Sequence, residues 1–549
     1  MFMNSAFTVP EGDIKRCVEP LGIMYLANVV RREKGVDVAI LDSQVEGYDN
    51  DKIGEDGLNT YGLSDDDIAR RVNDFHPDVV GISSLFSSQF PNAVHLANVV
   101  KQINPDIVVV LGGPHPTALP EQTLRIAPSV DYVIRGEGEY PMLGLIDHLR
   151  GDIPLDKVDS LTFRKPNGDI VVNHKAKVVE PLEWIGFPAR DLIDVERYIR
   201  INRRHAPYVK GNRVSPIITS RGCPAQCTFC STQRVQDMEW INSGRTGTTE
   251  QEMRGLEESV TSEQDRLRAA FAGGTGTYAG NMQIREIRGN YRARSPDDVL
   301  REILFLREKH GVDEIQFEDD NLTSNKPAAQ KLFAAMQAHG LKIHFCTPNG
   351  IAAWTLYNGG DDKNGYPLVK TMANVGCYQL SLAIESGDNY VLSRIIKKPV
   401  NLEKIPPLVG AIRDAGIWAH AFFILGFPDE TLEQMNRTVD YSISLGLDSQ
   451  SYSIATPLPG APLWNECQNR GLIPNEITDS NWYRNLLFRT PIIRSPNWTH
   501  EQLLEVQGRG YAAKKMHSKA EEVHGVYAKA ADRFGGQEKL EEALRRRNA

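Results

Sequence analysis

Short runs of β-branched and other apolar residues, each followed by an amphipathic stretch of helical length, recur in two separate series along this 549-residue chain. In the first series Val36–Leu41, Val79–Ser83, Ile107–Leu111 and Tyr132–Ile134 read as buried strands. Their alternation with helical segments predicts a parallel, doubly wound, Rossmann-like α/β domain over residues 1–150. In the second series Pro216–Ser220, Glu314–Glu318, Lys342–Cys346, Gln379–Ile384, Trp418–Leu425 and Ser451–Ala455 predict a partial (βα)6 or full βα barrel within residues 211–465. Residues 151–210, with a hairpin turned at Asn167-Gly168 and several Pro-containing connections, read as a linker. Residues 466–549 read as a helical region ending in the charged amphipathic tail Gln537–Arg547.

Residues 234–290 break the rhythm. They are polar and charged, close on the Gly-rich run Ala272–Gly280, and read as an insertion: a helical lid on a flexible hinge, or a partly disordered loop.

Open parallel sheets bind ligands at the carboxyl ends of their strands, where glycine lets a ligand approach the backbone. At those ends the first series carries Ser83-Ser84-Leu85, Gly112-Gly113-Pro114-His115-Pro116 and Gly136-Glu137-Gly138-Glu139. Ser83, Leu85, Gly112, Gly113, His115, Gly136 and Glu137 are therefore candidate ligand contacts. Just after the first strand of the second series stands Cys223-Pro224-Ala225-Gln226-Cys227-Thr228-Phe229-Cys230. Three thiolates are one short of a closed tetrahedral set, so a [4Fe–4S] cluster on Cys223, Cys227 and Cys230 keeps one iron open. A zinc site is the competing reading, but no fourth Cys or His stands at zinc spacing nearby. Cys17, Cys346, Cys377 and Cys467 are isolated and read as packed thiols.

Charge narrows the partners. A formal net charge of -9 and no basic run give no footprint for nucleic acid, so a small molecule is expected instead. Seven unevenly spaced cysteines do not form a disulfide framework, which fits a reducing cytoplasm. Neither a basic region followed by an apolar stretch at the N-terminus nor a spanning apolar run is present, so neither secretion nor a membrane is expected.

The triplet, with Phe229 before its last cysteine, resembles the C-x-x-x-C-x-aromatic-C motif of radical S-adenosylmethionine (SAM) enzymes. Further matches follow in order: Glu318-Asp319-Asp320-Asn321 after the second strand, Glu385-Ser386-Gly387 after the fourth, and Ile424-Leu425-Gly426-Phe427-Pro428 at the fifth. The resemblance implies that Phe229, Glu318, Asp319, Asp320, Glu385, Ser386, Gly387, Ile424 and Gly426 contact SAM. Ser83-x-Leu85 and Gly112-Gly113 resemble the cobalamin-binding domain fused to one branch of that family. The D-x-H-x-x-G sequence is absent, which implies a cobalamin without a histidine ligand from that motif. Together the resemblances cover about residues 10–465.

Within that branch, Tyr61–Asp67, Pro77–Ser84, Ala383–Gly387 and Ile396–Pro399 are similar to methylases of phosphonate and phosphinate antibiotic pathways. Two kinds fit: a fosfomycin-type C-methylase of cytidylylated hydroxyethylphosphonate, and a phosphinothricin-type P-methylase of an N-acetylated demethyl phosphinate. The 234–290 insertion departs from the fosfomycin type and favours the P-methylase. The family's chemistry implies SAM cleavage to a 5′-deoxyadenosyl radical, hydrogen abstraction from a C–H or P–H bond, and methyl donation from methylcobalamin, with an electron donor such as flavodoxin or ferredoxin.

An anionic substrate needs Arg, Lys or N–H donors, which makes Arg221 and Lys397 or Lys398 candidates, each equally readable as a packing or solvated residue. Period-two alternation puts Trp418, His420, Phe422 and Ile424 on one face, so His420 reads either as a core histidine or as a catalytic group touching substrate. The competing functions are methylation of a metabolite without phosphorus, a rearrangement with no methyl transfer, and a cobalamin sensor with a vestigial cluster.

Overall fold

The computed structural model describes residues 1–174, 176–206, 208–232, 291–473 and 491–513. The insertion expected at 234–290 and the tail Gln537–Arg547 lie outside the described residues.

The N-terminal sheet contains Phe2–Asn4 (β1), Ile40–Asp42 (β2), Val79–Ser83 (β3), Val108–Gly112 (β4), Tyr132–Ile134 (β5), Leu161–Arg164 (β6) and Ile170–Val172 (β7). Its order is β7-β6-β5-β4-β3-β1-β2. The first five strands are parallel, and the reversal of order at β1 and β3 makes a switch point at their carboxyl ends. β4 has the continuous Val-Val-Val-Leu run of a strand covered on both faces, by helices Leu21–Lys34 and Glu139–Arg150 on one side and Asp65–Phe75 and Phe90–Ile103 on the other.

The linker reading of 151–210 needs correction. β6 pairs antiparallel with β5, and β7 with β6, so this segment adds two strands to the sheet. The Asn167-Gly168 turn makes the hairpin, with Gly168 at φ +89° and Asn167 Oδ1 accepting from the Asp169 N–H at 3.1 Å. Two further elements escaped the pattern. β1 was missed because it is only three residues long, and Phe7–Pro10, Asp51–Ile53 and Leu58–Tyr61 form a small antiparallel sheet above the switch point.

The second unit is a six-stranded parallel sheet in sequential order: Val214–Ile217 (β8), Glu314–Phe317 (β9), His344–Ile351 (β10), Cys377–Glu385 (β11), Trp418–Leu425 (β12) and Ser449–Ile454 (β13). Ile315, Phe317, Leu380, Leu382, Ile384, Ala419, Ala421, Phe423 and Leu425 pack outward against the helices, in one continuous core. Alternation therefore turns Glu314, Gln316, Gln379, Ser381, Trp418, His420, Phe422 and Ile424 inward. This interior is largely polar, unlike the apolar filling of a closed barrel.

Part of the interior is occupied by the chain that joins the two units. His205 meets Glu318 at 3.0 Å, Tyr208 packs on Tyr378 and Trp418, and the Lys210 and Gly211 N–H groups donate to Glu314 at 2.8 and 2.6 Å. The segment thus runs from the carboxyl end of β9 down to its start.

Buried ion pairs fasten the units. Glu19 accepts from Arg190 Nε at 2.8 Å and from Ser215 Oγ at 2.9 Å. Arg190 reaches Glu302 at 2.8 Å, and Glu302 is also paired with Arg294. A buried charge left alone is costly, so such a network holds one relative placement of its elements.

Candidate active site

The cysteine loop leaves β8 through Thr219–Gly222, and Asp319 fixes its start. That buried carboxylate accepts from the Thr219 N–H at 3.1 Å, Thr219 Oγ1 at 2.7 Å and Ser220 Oγ. Burial still pushes the Asp319 carboxyl up to about 6, against those hydrogen bonds. Asp319 thus anchors the start of the cysteine loop. Asp320 accepts from the Gly222 N–H at 3.2 Å and lies 3.4 Å from Thr232 Oγ1, whose hydroxyl also meets Cys230 Sγ. It is the acidic residue of the run that stands beside the cysteines.

Cys227 is buried and Cys223 and Cys230 are half-buried. Burial pushes the Cys223 and Cys227 thiols up to about 11 and about 12, because a thiolate there lacks solvent. Among the described residues no three His, Cys, Asp or Glu side chains are gathered around a point that fits a single metal ion. A cubane asks for something else, since its three cysteines bind three different irons. An all-thiol donor set on one sheltered loop fits that group and disfavours zinc. The loop is pinned by Thr228, whose N–H and Oγ1 donate to the Ile396 and Ile395 carbonyls at 3.0 and 2.8 Å.

Lys398 lies against the same loop. It is buried, pairs with Glu385 at 2.6 Å and stands over the Trp354 ring at 5.7 Å. Glu385 takes a left-handed conformation, φ +72°, unusual for a side chain of its size. Lys398 is therefore committed to Glu385, and Lys397 is exposed at the helix end, so neither stands as a ready anion ligand. Ser386 and Gly387 lie against the helix Leu432–Ser444. Ser386 Oγ meets Thr438 Oγ1 at 2.9 Å, and a Cβ on Gly387 would come within 2.5 Å of Tyr441 Cβ. Both serve helix packing.

At the fifth barrel strand Ile424 faces inward, while Gly426 makes a turn at φ +89° closed by Glu430, which accepts its N–H at 2.8 Å. A Cβ on Gly426 would meet Leu503 at 2.7 Å, so packing here requires a glycine. Phe229 lies 6.2 Å from the Phe427 ring. His420 is on the inner face as alternation required, but Nδ1 is 2.7 Å from Ser449 Oγ and Nε2 3.4 Å from Ser451 Oγ. Both nitrogens have a serine hydroxyl within reach, so His420 is held in one orientation in the lining of the barrel.

In the other unit the crevice lies over the ends of β3 and β4. Leu85 and Phe86 are 56% and 46% exposed there, a large apolar display for a protein surface. At Gly112 a Cβ would meet nothing nearer than the Ile134 carbonyl at 3.9 Å, so the space beside it is open to a ligand. At Gly113, φ +111°, a Cβ would reach the Ser84 carbonyl at 2.7 Å, so this glycine is required by the fold itself. An apolar platform beside an open glycine fits the large, mostly apolar corrin face. Ser83 ends β3 and Gly136 turns at φ +72° after β5, its N–H donating to Thr117 Oγ1 at 2.9 Å.

Two of the expected contacts are engaged within the fold. His115 is 2% exposed, lies with its ring tilted 4.2 Å from Phe90 and has Nδ1 2.9 Å from Ser87 Oγ. Glu137 pairs with Arg292 at 2.6 Å and accepts from the Val179 N–H at 2.8 Å. Arg221, beside the cysteines, pairs with Glu139 at 2.7 Å and Glu137 at 3.4 Å. These charges join the two units and do not await a substrate.

Two residues at the barrel mouth were not among the expected site residues, His205 and Asn349. Glu318 Oε2 is 3.0 Å from His205 Nδ1 and 3.1 Å from Asn349 Nδ2. His205 lay in the presumed linker, whereas Asn349-Gly350 at the end of β10 could have been flagged by its position at the carboxyl end of a barrel strand.

Comparisons with known proteins agree with both units. Residues 11–146 match the B12 binding domain and residues 217–442 the radical SAM superfamily. The chain is 32% identical to cytidylyl-2-hydroxyethylphosphonate methyltransferase of Streptomyces wedmorensis, over 93% of this chain and 88% of that protein. It is 28% identical to an uncharacterized methyltransferase of Pyrococcus horikoshii, over 91% and 89%. In fold it resembles the radical SAM methyltransferase TsrM of Kitasatospora setae, with a TM-score of 0.58 and 15% identity, covering 85% of this chain and 75% of that one. The enzyme's cofactors are accordingly a [4Fe–4S] cluster, SAM and cobalamin. The chain belongs to the cobalamin-dependent radical SAM methyltransferases.

Proposed function

We propose that this enzyme methylates carbon in a small phosphonate carrying a 2-hydroxyethyl group, presented as its cytidylyl conjugate. The observation that carries the reading is the relative from Streptomyces wedmorensis, whose similarity runs through both cofactor-binding units and the chain between them. The P-methylation expected from residues 234–290 rests on residues outside those described, and no described side chain favours it. When bound, the cluster and SAM supply the radical that removes hydrogen, and cobalamin supplies the methyl group.

The chain's own residues set the geometry. Cys223, Cys227 and Cys230 would hold the cluster, Asp320 and Ile424 would lie along SAM, and Leu85, Phe86 and Gly112 would receive the corrin. Arg221 and Arg292, through Glu139 and Glu137, hold the two sites at a fixed separation. The polar barrel interior would orient the substrate between them. A flavodoxin or ferredoxin would deliver the electron, and a reducing cytoplasm suits seven cysteines with no disulfide among them.

Anaerobic turnover with methyl-labelled SAM, cobalamin and reductant, offered cytidylyl-2-hydroxyethylphosphonate and N-acetyl-demethylphosphinothricin in parallel, tests this. Phosphorus NMR is expected to show a labelled C–CH3 product from the first compound alone. A P–CH3 product, or label in neither, overturns it.

A further inference from the structure

The mouth of the barrel holds an acceptor without a donor. Glu318 directly follows β9 and continues its inward-facing alternation, with its side chain 12% exposed. Oε2 is held from two sides, by His205 Nδ1 at 3.0 Å and Asn349 Nδ2 at 3.1 Å. Oε1 is buried and has no hydrogen-bond partner among the described residues. Buried carboxylate oxygens are almost always hydrogen-bonded, and an exception calls for a missing partner. Two more inward polar atoms share that condition, Gln379 Oε1 and Ser381 Oγ on β11.

We infer that Glu318 is the acceptor for the substrate's hydroxyl group and thereby decides which end of the substrate enters the barrel. This rests on the phosphonate reading above. A carboxylate accepts from a hydroxyl and repels an anionic phosphonate, so one side chain both holds the hydroxyethyl end and excludes the phosphorus end. His205 and Asn349 fix the carboxylate from the side of Oε2 and leave Oε1 as the oxygen still able to accept a hydrogen bond. Glu318 acts in binding and orientation. Its carboxylate is held by His205 and Asn349, whereas Asp320 is the carboxylate bonded to the cysteine loop.

The experiment compares the affinity of the cofactor-loaded enzyme for cytidylyl-2-hydroxyethylphosphonate and for the deoxy analogue cytidylyl-ethylphosphonate, by calorimetry under anaerobic conditions. The wild type is expected to prefer the hydroxyl compound by roughly ten- to a hundred-fold, the range of a hydrogen bond to a charged group. In Glu318→Leu that preference disappears while affinity for the deoxy analogue is kept, which also reports an intact site. If Glu318→Leu binds neither compound, the result is read on Glu318→Gln, where a neutral acceptor cuts the preference at least roughly three-fold. A preference unchanged in the variant that binds overturns this inference alone. Failure of the wild type to bind either compound overturns the phosphonate reading and this inference with it.

Discussion

Arg221 Nη2 stands 2.7 Å from Glu139 Oε1, and this pair ties the residue two positions before Cys223 to the first turn of the helix Glu139–Arg150 in the cobalamin-binding unit. A methyl transfer between two cofactors depends on their separation, and misplacement by about 1 Å can cost on the order of a hundred-fold. Arg221→Lys keeps the charge but loses the planar fork that reaches both Glu139 and Glu137. SAM cleavage should persist in this variant, while methylated product per 5′-deoxyadenosine falls about ten-fold or more by mass spectrometry.

Cys227 is the most sheltered ligand of the triplet, so its loss cannot be made good by solvent. Cys227→Ala, purified and reconstituted anaerobically, should hold little iron and show no reductive SAM cleavage. Full iron content with unchanged cleavage would remove the triplet from the chemistry.

The pair Lys398–Glu385 is buried on both sides. Removing one member of such a pair costs about 3–5 kcal/mol, because the other charge stays behind. Lys398→Met should therefore have a lower thermal midpoint than the double variant with Glu385→Gln added. Equal midpoints for the two would show that the charges are independent.

Glu430 gives a pH signature. Burial pushes its carboxyl from 4.5 up to about 8, against the Phe427 and Gly426 N–H groups it accepts. The folded protein thus keeps a proton that the unfolded chain releases, and the stabilisation is complete below about 4.5 and lost as pH rises through about 8. Between pH 5.5 and 8.5, a range spanning roughly that window, the wild type should lose stability relative to Glu430→Gln in parallel thermal melts. Parallel curves would place the carboxylate in its ordinary range.

The adjacent glycines of the crevice should respond differently. Gly112→Ala has room for its methyl group, so the apo fold should be unaffected and cobalamin affinity should fall at least roughly ten-fold. Gly113→Ala sets a Cβ against the Ser84 carbonyl in a conformation that disfavours it, so the apo protein itself should be destabilised. Equal cobalamin binding by Gly112→Ala and wild type would move the corrin elsewhere.

Both sheets were legible in the sequence because buried parallel strands are written as unbroken apolar runs such as Val108–Leu111, and the six barrel strands appear at their expected places. Short strands were not: β1 is three residues long and carries no period. The cysteines, Asp320 and Ile424 sit where a motif could find them, but motifs are silent on what a side chain holds. Asp319, Ser386, Gly387 and Gly426 lie inside the matching phrases and serve the loop and helix packing. Ion pairs between distant segments, such as Glu137 with Arg292, need three-dimensional proximity that spacing cannot encode.

The connector through His205, Tyr208 and Gly211 has a consequence for engineering. It resembles a tether in sequence, yet it furnishes part of the floor on which a substrate would rest, and its preceding hairpin completes the neighbouring sheet. A chimaera that joined this cobalamin-binding unit to another family member's barrel just after Gly211 would graft a foreign floor into the catalytic chamber, whereas a junction near residue 150 would deprive the cobalamin-binding sheet of its own two hairpin strands. Module exchange in this architecture should therefore change substrate acceptance even when every cofactor ligand is preserved.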